Sequence, residues 1–339
     1  MNKKKVLIIT TLGKNPGDEF IARGVINILL DIIGPDGWVY HLIDKENPDI
    51  FRVQHFDLAV WAGMPLFWSY KGNNFWDIPW FSALTGWLAE NPQKLVILGA
   101  GGFQNPNNIL EGVDVRNYKK YISKVVASSS IVSLRDNIPN QIAGADLKVI
   151  PCPAIFATDR VSVAEQSPKK VCNLMRVGGH YAEFNESESI IWQKDLPKIA
   201  KTLIERGFVF VAHTKAEAGF AKDIGWEPSN IICYSHKPFD GSILSIYAGC
   251  EVYLGCRIHG AISAGGAYAK SCCVGIDTRI EAVRTCGIDA LLPSEFGLNL
   301  DKLVHGDIAS STVIDAKANA MVEYRRILKP ILFANGFIS

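Results

Sequence analysis

The sequence has almost no excess of charge of either sign. It contains 35 lysines and arginines against 34 aspartates and glutamates, which gives a formal net charge of +1. Proteins that attract nucleic acid or an anionic membrane from a distance carry a much stronger positive field. Nucleic acid is therefore not an expected partner, although a local cluster of arginines could still bind a small anion.

Long apolar runs are also missing. No stretch approaches the roughly 18 apolar residues of a membrane-spanning helix, so no transmembrane segment is predicted. The N-terminal lysines precede an apolar run of only Val6 to Ile9, without a small-residue cleavage site behind it. This pattern favours a first β-strand over a signal peptide. We expect a cytoplasmic protein, with a peripheral position at the inner membrane face as the alternative.

Motifs that would identify a cofactor are absent as well. The eight cysteines include no C-x-x-C pair, so buried reduced thiols are expected and a zinc site is not. The dinucleotide pattern G-x-G-x-x-G and the phosphate loop G-x-x-x-x-G-K-[ST] do not occur, which makes a dehydrogenase a distant alternative. We therefore expect neither a metal nor a bound cofactor.

What the sequence does contain is a regular alternation of short apolar runs with longer amphipathic stretches. Strands are predicted between Val6 and Ile150 and again between Val171 and Ile276, with helices between them. This order is typical of doubly wound, mostly parallel sheets that helices cover on both faces. The predicted fold class is α/β, with two Rossmann-like doubly wound domains facing a cleft and a C-terminal closing helix.

A proline-containing segment with a polar stretch behind it separates the two alternations. The predicted division is an N-terminal Rossmann-like domain over 1–157, a linker over 158–170, a C-terminal Rossmann-like domain over 171–315 and a closing helix over 316–339. Ligands of such sheets bind beyond the carboxyl ends of the strands. Polar residues directly after predicted strands are therefore the candidates for a functional site.

The strongest candidate is the segment GCRIHG, which follows the predicted strand Val252–Leu254 and begins a helix rich in small residues. Arg257 is a bidentate donor for an anion, and His259 can exchange a proton near neutral pH. Gly260 belongs to the helix N-terminus, whose free N–H groups suit a phosphate or carboxylate. The alternative is a helix-start histidine beside an arginine in a surface ion pair. We favour the binding and catalytic interpretation because of the strand-end position.

Candidates also follow two other predicted strands, one near the N-terminus and one in the middle of the chain. Arg135 in SLRD follows a buried strand and is a second anion ligand, whereas Asp136 is better explained as a helix cap. The loop after the first strand contains Gly17 and Asp18. Asp18 either caps the next helix or orients a ligand hydroxyl, and the sequence favours neither over the other.

Neutral polar residues follow the strand Leu95–Leu98. Gly101 and Gly102 let the backbone approach a ligand closely, and Gln104 supplies hydrogen bonds; a tight solvated turn is the alternative. Arg176 follows the strand Val171–Met175 and is a weaker candidate for the cleft. The histidines nearby are weaker still, since a lone histidine at a strand end is as often structural: His180 and His213.

Aromatic residues crowd the segment between Trp61 and Trp87, which includes a predicted helix over Pro79–Glu90. Such residues could stack on a sugar ring or contact a lipid carrier. Packing in the core or at a partner interface is the favoured interpretation, because aromatic side chains dominate both.

Taken in order, these segments resemble the polysaccharide pyruvyl transferase family. The matching segments are NPGDEF, LVILGAGGF, SLRD, PCPAIF, and GCRIHG followed by a small-residue helix and CCVGID. PCPAIF departs from the family, which usually has Asp-Pro at this place. The resemblance implies a fold like that of the two-domain GT-B glycosyltransferases.

The resemblance also implies a reaction. A pyruvyl group would pass from phosphoenolpyruvate, as donor substrate, to two hydroxyls of a sugar in a cell-surface polysaccharide or its precursor, giving a ketal and phosphate. It implies Arg257, His259 and Arg135 as donor-binding or catalytic residues. The methylene carbon of the donor must receive a proton, and we predict His259 as the acid that supplies it. The acceptor side is expected in the first domain and the donor side in the second. Whether the saccharide acceptor is free or lipid-linked, and whether the protein is a homo-oligomer, stays open.

Two other functions fit the same features. A GT-B glycosyltransferase that uses a nucleotide sugar would share the fold, the helix N-terminus and the basic residues. A non-catalytic saccharide-binding member of the family is the second alternative, although Arg135, Arg257 and His259 argue against it.

Overall fold

The computed structural model of the 339-residue chain describes residues 3–46, 56–70, 73–74, 94–179, 185–308 and 311–338. The predicted helix over Pro79–Glu90, His180 and most of the aromatic segment lie outside these residues. Trp61 and Phe67, which do lie within them, are fully buried, in line with the packing interpretation. No helix in the described ranges is long and apolar enough to cross a membrane.

The first sheet has six parallel strands in the order β2-β1-β3-β6-β7-β8. Its strands β3 and β6 are buried along their whole length, as expected where helices pack on both faces. A short antiparallel pair, β4 with β5, stands apart from it. The strands are β1 (Lys4–Thr10), β2 (Trp38–Asp44), β3 (Leu58–Ala62), β4 (Ser69–Tyr70), β5 (Asn73–Asn74), β6 (Leu95–Ala100), β7 (Ile131–Leu134) and β8 (Lys148–Val149).

The second sheet also has six parallel strands, in the order β11-β10-β9-β12-β13-β14. Counted within this sheet the order is 3-2-1-4-5-6, which is that of Rossmann sheets. The strands are β9 (Lys170–Asn173), β10 (Val209–Ala212), β11 (Ile231–Cys233), β12 (Val252–Gly255), β13 (Lys270–Val274) and β14 (Asp289–Leu291). We refer to the parts that contain the two sheets as the N-terminal and C-terminal domains.

Helices follow most strands. They are α1 (Pro16–Ile33), α2 (Val115–Ala127), α3 (Ile138–Ala143), α4 (Glu186–Glu205), α5 (Lys215–Asp223), α6 (Ser242–Gly249), α7 (Ile258–Gly266), α8 (Ile280–Arg284), α9 (Pro293–Val304) and α10 (Ser311–Ala334). Two doubly wound parallel sheets and a C-terminal helix confirm the predicted α/β class. The limits of the two domains remain a prediction. Helices α5, α8 and α9 and strand β14 had not been expected.

The last helix returns to the N-terminal domain. The Tyr324 hydroxyl donates to the carbonyl of Pro151 at 2.9 Å, and Arg325 forms an ion pair with Asp31 of α1 at 2.8 Å. Helix α10 begins at Ser311, five residues before the predicted closing helix. It therefore joins the two domains, as a closing helix should.

Helices α1 and α7 both pack against a 3-10 turn formed by Pro153–Phe156. Gly24 of α1 lies so close to this turn that a Cβ atom would overlap the carbonyl oxygen of Pro153, and Gly266 of α7 meets Ile155 in the same way. Asn27 of α1 also donates to the carbonyl of Phe156 at 2.7 Å. Glycine is needed at both positions because backbone approaches backbone. The two helices, one from each domain, are thus held on one short segment.

This packing predicts that Gly24→Ala destabilises the fold. Overpacking costs typically 1–3 kcal/mol, and here the obstacle is backbone, so we expect a loss of about 3 kcal/mol in the free energy of unfolding. Gly219 is the matched control, because it lies inside α5 with nothing within 4 Å of its Cβ position. Gly219→Ala should stabilise by up to about 1 kcal/mol through helix propensity. Urea denaturation of both variants measures the difference, and equal effects would contradict the packing argument.

Candidate active site between the two sheets

A cavity of about 260 Å³ lies at the carboxyl ends of both sheets. In each sheet the strand order reverses beside a central strand, which is where ligands of open α/β sheets bind. The N-terminal domain contributes Asn15, Gly17, Asp18, Lys45, Pro65 and Arg135, and the C-terminal domain contributes His213, Arg257, Ile258, His259 and Arg279. Of the sequence candidates, Gly17, Asp18, Arg135, Arg257 and His259 are brought together here.

Arg135 and His259 meet across the two domains. The Arg135 Nη1 and His259 Nε2 atoms are 3.0 Å apart, and Arg135 is only 1% exposed. A guanidinium can only donate, so His259 Nε2 accepts the hydrogen bond and the ring proton resides on Nδ1. This contact assigns His259 the neutral form when the cavity holds no ligand.

The charge of the cavity favours the same form. Burial and then the neighbouring guanidinium groups, first Arg135 and next Arg279, hold the pKa of His259 well below its ordinary value. Both effects disfavour a second positive charge on a ring that is already surrounded by cations. A bound anion would reverse the electrostatic part of this shift.

Arg257 precedes α7 and forms a buried ion pair with Glu217 of α5. Glu217 also accepts from the His213 backbone N–H and from Asn173 Nδ2, each at 2.9 Å. Burial alone would raise the pKa of Glu217, but Arg257 and His213 together bring it below its usual value. Arg257 is therefore not in a surface ion pair, which was the alternative interpretation. Both side chains of the pair are largely buried, and both oxygens of the Glu217 carboxylate accept hydrogen bonds.

His213 directly follows strand β10 and lines the part of the cavity that the C-terminal domain contributes. Its Nε2 is 2.7 Å from the Tyr247 hydroxyl. Burial, followed by the charge of Arg257, lowers the pKa of His213 to about 3. A histidine with this pKa stays neutral at physiological pH and acts as a hydrogen-bonding wall residue.

Two cations of the cavity were not among the sequence candidates. Arg279 follows β13 and is held by Asp277 through a bidentate pair of 2.8 and 2.5 Å. Lys45 follows β2 and lies 4.0 Å from Asp18. Lys45 stands directly after β2, so the strand-end rule would have found it, whereas Arg279 lies five residues beyond β13, at the start of α8.

Asp136 directly precedes Asn137, the N-cap of α3, and supports the start of this helix, a role close to the cap that the sequence favoured. Its Oδ1 accepts from the Ile138 backbone N–H at 3.1 Å, at the start of α3. Burial raises the pKa of Asp136 to about 7, against the opposing charge of Arg135. Asp136 lies behind Arg135 and outside the cavity lining.

The structure places Arg176 and Gly260 away from the cavity lining. The Arg176 side chain is 70% exposed and pairs with Asp223 at 3.5 Å. Strand β9 ends at Asn173, so the chain has already turned outward where the prediction extended it to Met175. At Gly260 a Cβ atom would lie 2.6 Å from the Tyr253 hydroxyl, which gives this glycine a packing role.

The glycine-rich loop after β6 supports the site without lining it. A Cβ atom at Gly101 would lie 2.7 Å from Arg135 Nε, and one at Gly102 would lie 2.6 Å from the Phe67 carbonyl oxygen. The Gln104 backbone N–H donates to Thr278 Oγ1 at 2.8 Å, and the Thr278 N–H donates back to the Gln104 carbonyl at 3.2 Å. The loop therefore packs beneath Arg135 and links the two domains.

Within the described ranges, no three histidine, cysteine, aspartate or glutamate side chains are grouped so that they could hold a metal ion. The eight cysteines form no disulfide, and all except Cys233 are buried. Among the described residues, the polar side chains of the cavity lining are those of three arginines, one lysine, two histidines, Asn15 and Asp18.

Several solved structures share this fold at low sequence identity. The S. aureus MnaA–UDP complex matches with a TM-score of 0.56 and 10% identity, covering 99% of this chain and 98% of that one. A protein described as a UDP-N-acetylglucosamine 2-epimerase from Listeria monocytogenes gives 0.55 and 9%, with 92% and 91% covered. Anabaena Alr3699/HepE, in complex with UDP and glucose, gives 0.50 and 11%, with 98% and 100% covered. These likenesses confirm the GT-B-like fold.

No curated protein matches the chain significantly. The family model described as polysaccharide pyruvyl transferase, however, matches residues 15–276. That range covers most of the chain and contains Asp18, Arg135, Arg257 and His259. The resemblance seen in the sequence is confirmed, and the chain belongs to the polysaccharide pyruvyl transferase family.

Proposed function

We propose that this protein transfers a pyruvyl group from phosphoenolpyruvate to two hydroxyls of a sugar, in a cell-surface polysaccharide or its precursor. The products are a pyruvate ketal and phosphate. The observation that carries the proposal is the gathering of Arg135, Arg257 and Arg279 around His259 in one small cavity. The family assignment supports transferase chemistry and leaves the donor to be tested.

The charge of the cavity suits this donor. Phosphoenolpyruvate carries a phosphate and a carboxylate on a three-carbon frame, and guanidinium groups bind both in a bidentate manner. The N-terminus of α7, next to Arg257, adds free N–H groups and a partial positive charge. We assign the donor mainly to the C-terminal wall, with Arg135 reaching across from the N-terminal domain, and the acceptor to the N-terminal wall.

His259 is the proposed acid. Bound phosphate and carboxylate charges would offset Arg135 and Arg279, which raises the pKa of His259 from the low value that burial and these arginines give it. The protonated ring then delivers a proton to the methylene carbon of the donor, which makes the adjacent carbon electrophilic. The arginines stabilise the departing phosphate.

The size of the cavity weighs against a nucleotide sugar as donor. At about 260 Å³ it falls below the 300–1,000 Å³ of common ligand pockets, which fits a three-carbon phosphate better than a nucleoside diphosphate sugar. The similar structures that hold UDP share only 10–11% identity with this chain, so they support the fold and not the ligand.

Binding of the donor is tested first, by thermal shift with phosphoenolpyruvate, UDP and GDP in parallel. A ligand at 100 times its Kd stabilises the native state by about 2.7 kcal/mol, so phosphoenolpyruvate should raise Tm and the nucleotides should not. Arg257→Ala should abolish the shift, whereas Arg176→Ala, at the exposed pair with Asp223, should retain it. Stabilisation by a nucleotide alone would favour glycosyl transfer instead.

The acid role predicts a specific kinetic loss. His259→Gln removes the titratable proton but keeps a side chain that can accept from Arg135, so donor binding should survive. Turnover should fall by about 10²-fold or more, the usual contribution of general acid catalysis. Phosphate release assays measure kcat, and near-normal turnover in this variant would remove His259 from the role. Saccharide binding without phosphate release by the wild-type protein would instead favour the non-catalytic alternative.

Donor binding should also take up a proton. Because the pKa of His259 lies well below its ordinary value in the free protein and rises on binding, the complex holds more protons, and affinity should fall as pH rises through the pKa of the complex. Calorimetric titrations near pH 6.5, in buffers of different ionisation enthalpy, count the protons. His259→Gln should remove up to one proton from the count, and His41→Gln, on the exposed edge strand β2, should remove none. An unchanged count in His259→Gln would contradict the linkage.

A further inference from the structure

One carboxylate faces this strongly basic cavity. Among the described residues that line it, only Asp18 carries a negative charge. The Asp18 side chain is 8% exposed, and its nearest charged partner is the Lys45 ammonium group at 4.0 Å. A carboxylate in a cavity that is otherwise built for anions requires an explanation, because it weakens the binding of the donor.

The carboxylate of Asp18 does not cap its helix. Helix α1 is capped by Asn15, whose Oδ1 accepts from the Gly17 N–H at 3.1 Å. The neighbouring Glu19 is fully engaged, since its two oxygens accept from Gly13 N–H, Tyr234 hydroxyl and Phe239 N–H. The Asp18 carboxylate, by contrast, accepts no hydrogen bond from any residue in the described ranges. This excludes the capping interpretation that the sequence had left open.

Asp18 lies in a helix turn that contacts His259, the proposed acid. The first turn of α1 lies against His259, since a Cβ atom at Gly17 would be 2.7 Å from His259 Nδ1. Asp18 and Lys45 belong to the N-terminal wall of the cavity, and Arg257 and Arg279 belong to the C-terminal wall. A sugar bound on the N-terminal wall would present its hydroxyls to Asp18 and to a donor held by the arginines.

We infer that Asp18 is the catalytic base that accepts the proton of the attacking sugar hydroxyl. The inference rests on the proposed function. The Lys45 ammonium group lies 4.0 Å from the Asp18 carboxylate, beyond the range of a short, fixed hydrogen bond, so the carboxylate stays available to a bound hydroxyl. Base and acid then come from different domains, Asp18 from the first and His259 from the second.

The proton and electron balance of the reaction fits this pair. The first hydroxyl oxygen forms a bond to C2 of phosphoenolpyruvate while its proton passes to Asp18, and His259 gives a proton to C3, which becomes a methyl group. The second hydroxyl oxygen then bonds to C2, the bond from C2 to the phosphate oxygen breaks, and phosphate leaves with the electron pair and the second hydroxyl proton. Proton exchange with solvent returns Asp18 and His259 to their starting forms.

The test compares Asp18→Asn with Asp44→Asn. Asp44 ends β2 beside Lys45, outside the cavity lining, so its replacement removes the same charge nearby without touching the site. Phosphoenolpyruvate binding is measured by calorimetry. Phosphate release is measured with water as acceptor and with methyl β-galactoside, methyl β-glucoside and methyl N-acetyl-β-mannosaminide.

Asp18→Asn should bind phosphoenolpyruvate at least as tightly as the wild type, because a negative charge has left the cavity. Its phosphate release should fall by about 10²-fold or more, and the loss of rate toward acid pH should disappear from its pH profile. Asp18→Glu should recover part of the rate, and Asp44→Asn should match the wild type.

The outcomes separate the two proposals. Unchanged phosphate release in Asp18→Asn, or a loss of donor binding in this variant, would overturn the base assignment and leave the proposed function standing. A wild-type protein that neither binds phosphoenolpyruvate nor releases phosphate from it would refute the proposed function, and the base assignment with it.

Discussion

The contact on which the site depends is the close approach of α1 and α7 to the turn Pro153–Phe156. Gly24 and Gly266 permit it, because a side chain at either position would overlap a backbone carbonyl. Each helix begins at the cavity: α1 carries Gly17 and Asp18 in its first turn, and α7 starts directly after Arg257. Fixing both helices on one segment therefore fixes the distance between the two walls of the cavity, which belong to different sheets.

The second constraint is electrostatic. Three arginines and a lysine share a small space with one cavity-lining carboxylate, and burial adds to the cost of keeping these charges together. The protein limits this cost by pairing Arg257 with Glu217 and Arg279 with Asp277, and by keeping His213 and His259 neutral. An anionic ligand would neutralise the positive charge that remains in the cavity.

Strand-end reasoning from the sequence located the central residues Arg135, Arg257 and His259, because apolar parallel strands are easy to recognise and their carboxyl ends converge. It failed at Arg176, where β9 ends two residues earlier than its apolar pattern suggests. It could not find Glu217, which lies 40 residues before Arg257 in the chain and meets it only through the order of strands in the sheet. A contact that depends on the order of strands in the sheet cannot be predicted from the local sequence.

Helix α10 affects the order in which the protein can fold during synthesis. It is synthesised after both sheets, yet its Tyr324 and Arg325 bind the Pro151 carbonyl and Asp31, on the first-made half of the chain. Domains generally fold as units while the ribosome is still at work. The apolar surface of the first half that α10 covers therefore stays exposed until the last helix emerges. The core cluster that Ile150 and Cys152 share with Tyr324, Leu328 and Leu332 is therefore complete only when this helix has been made.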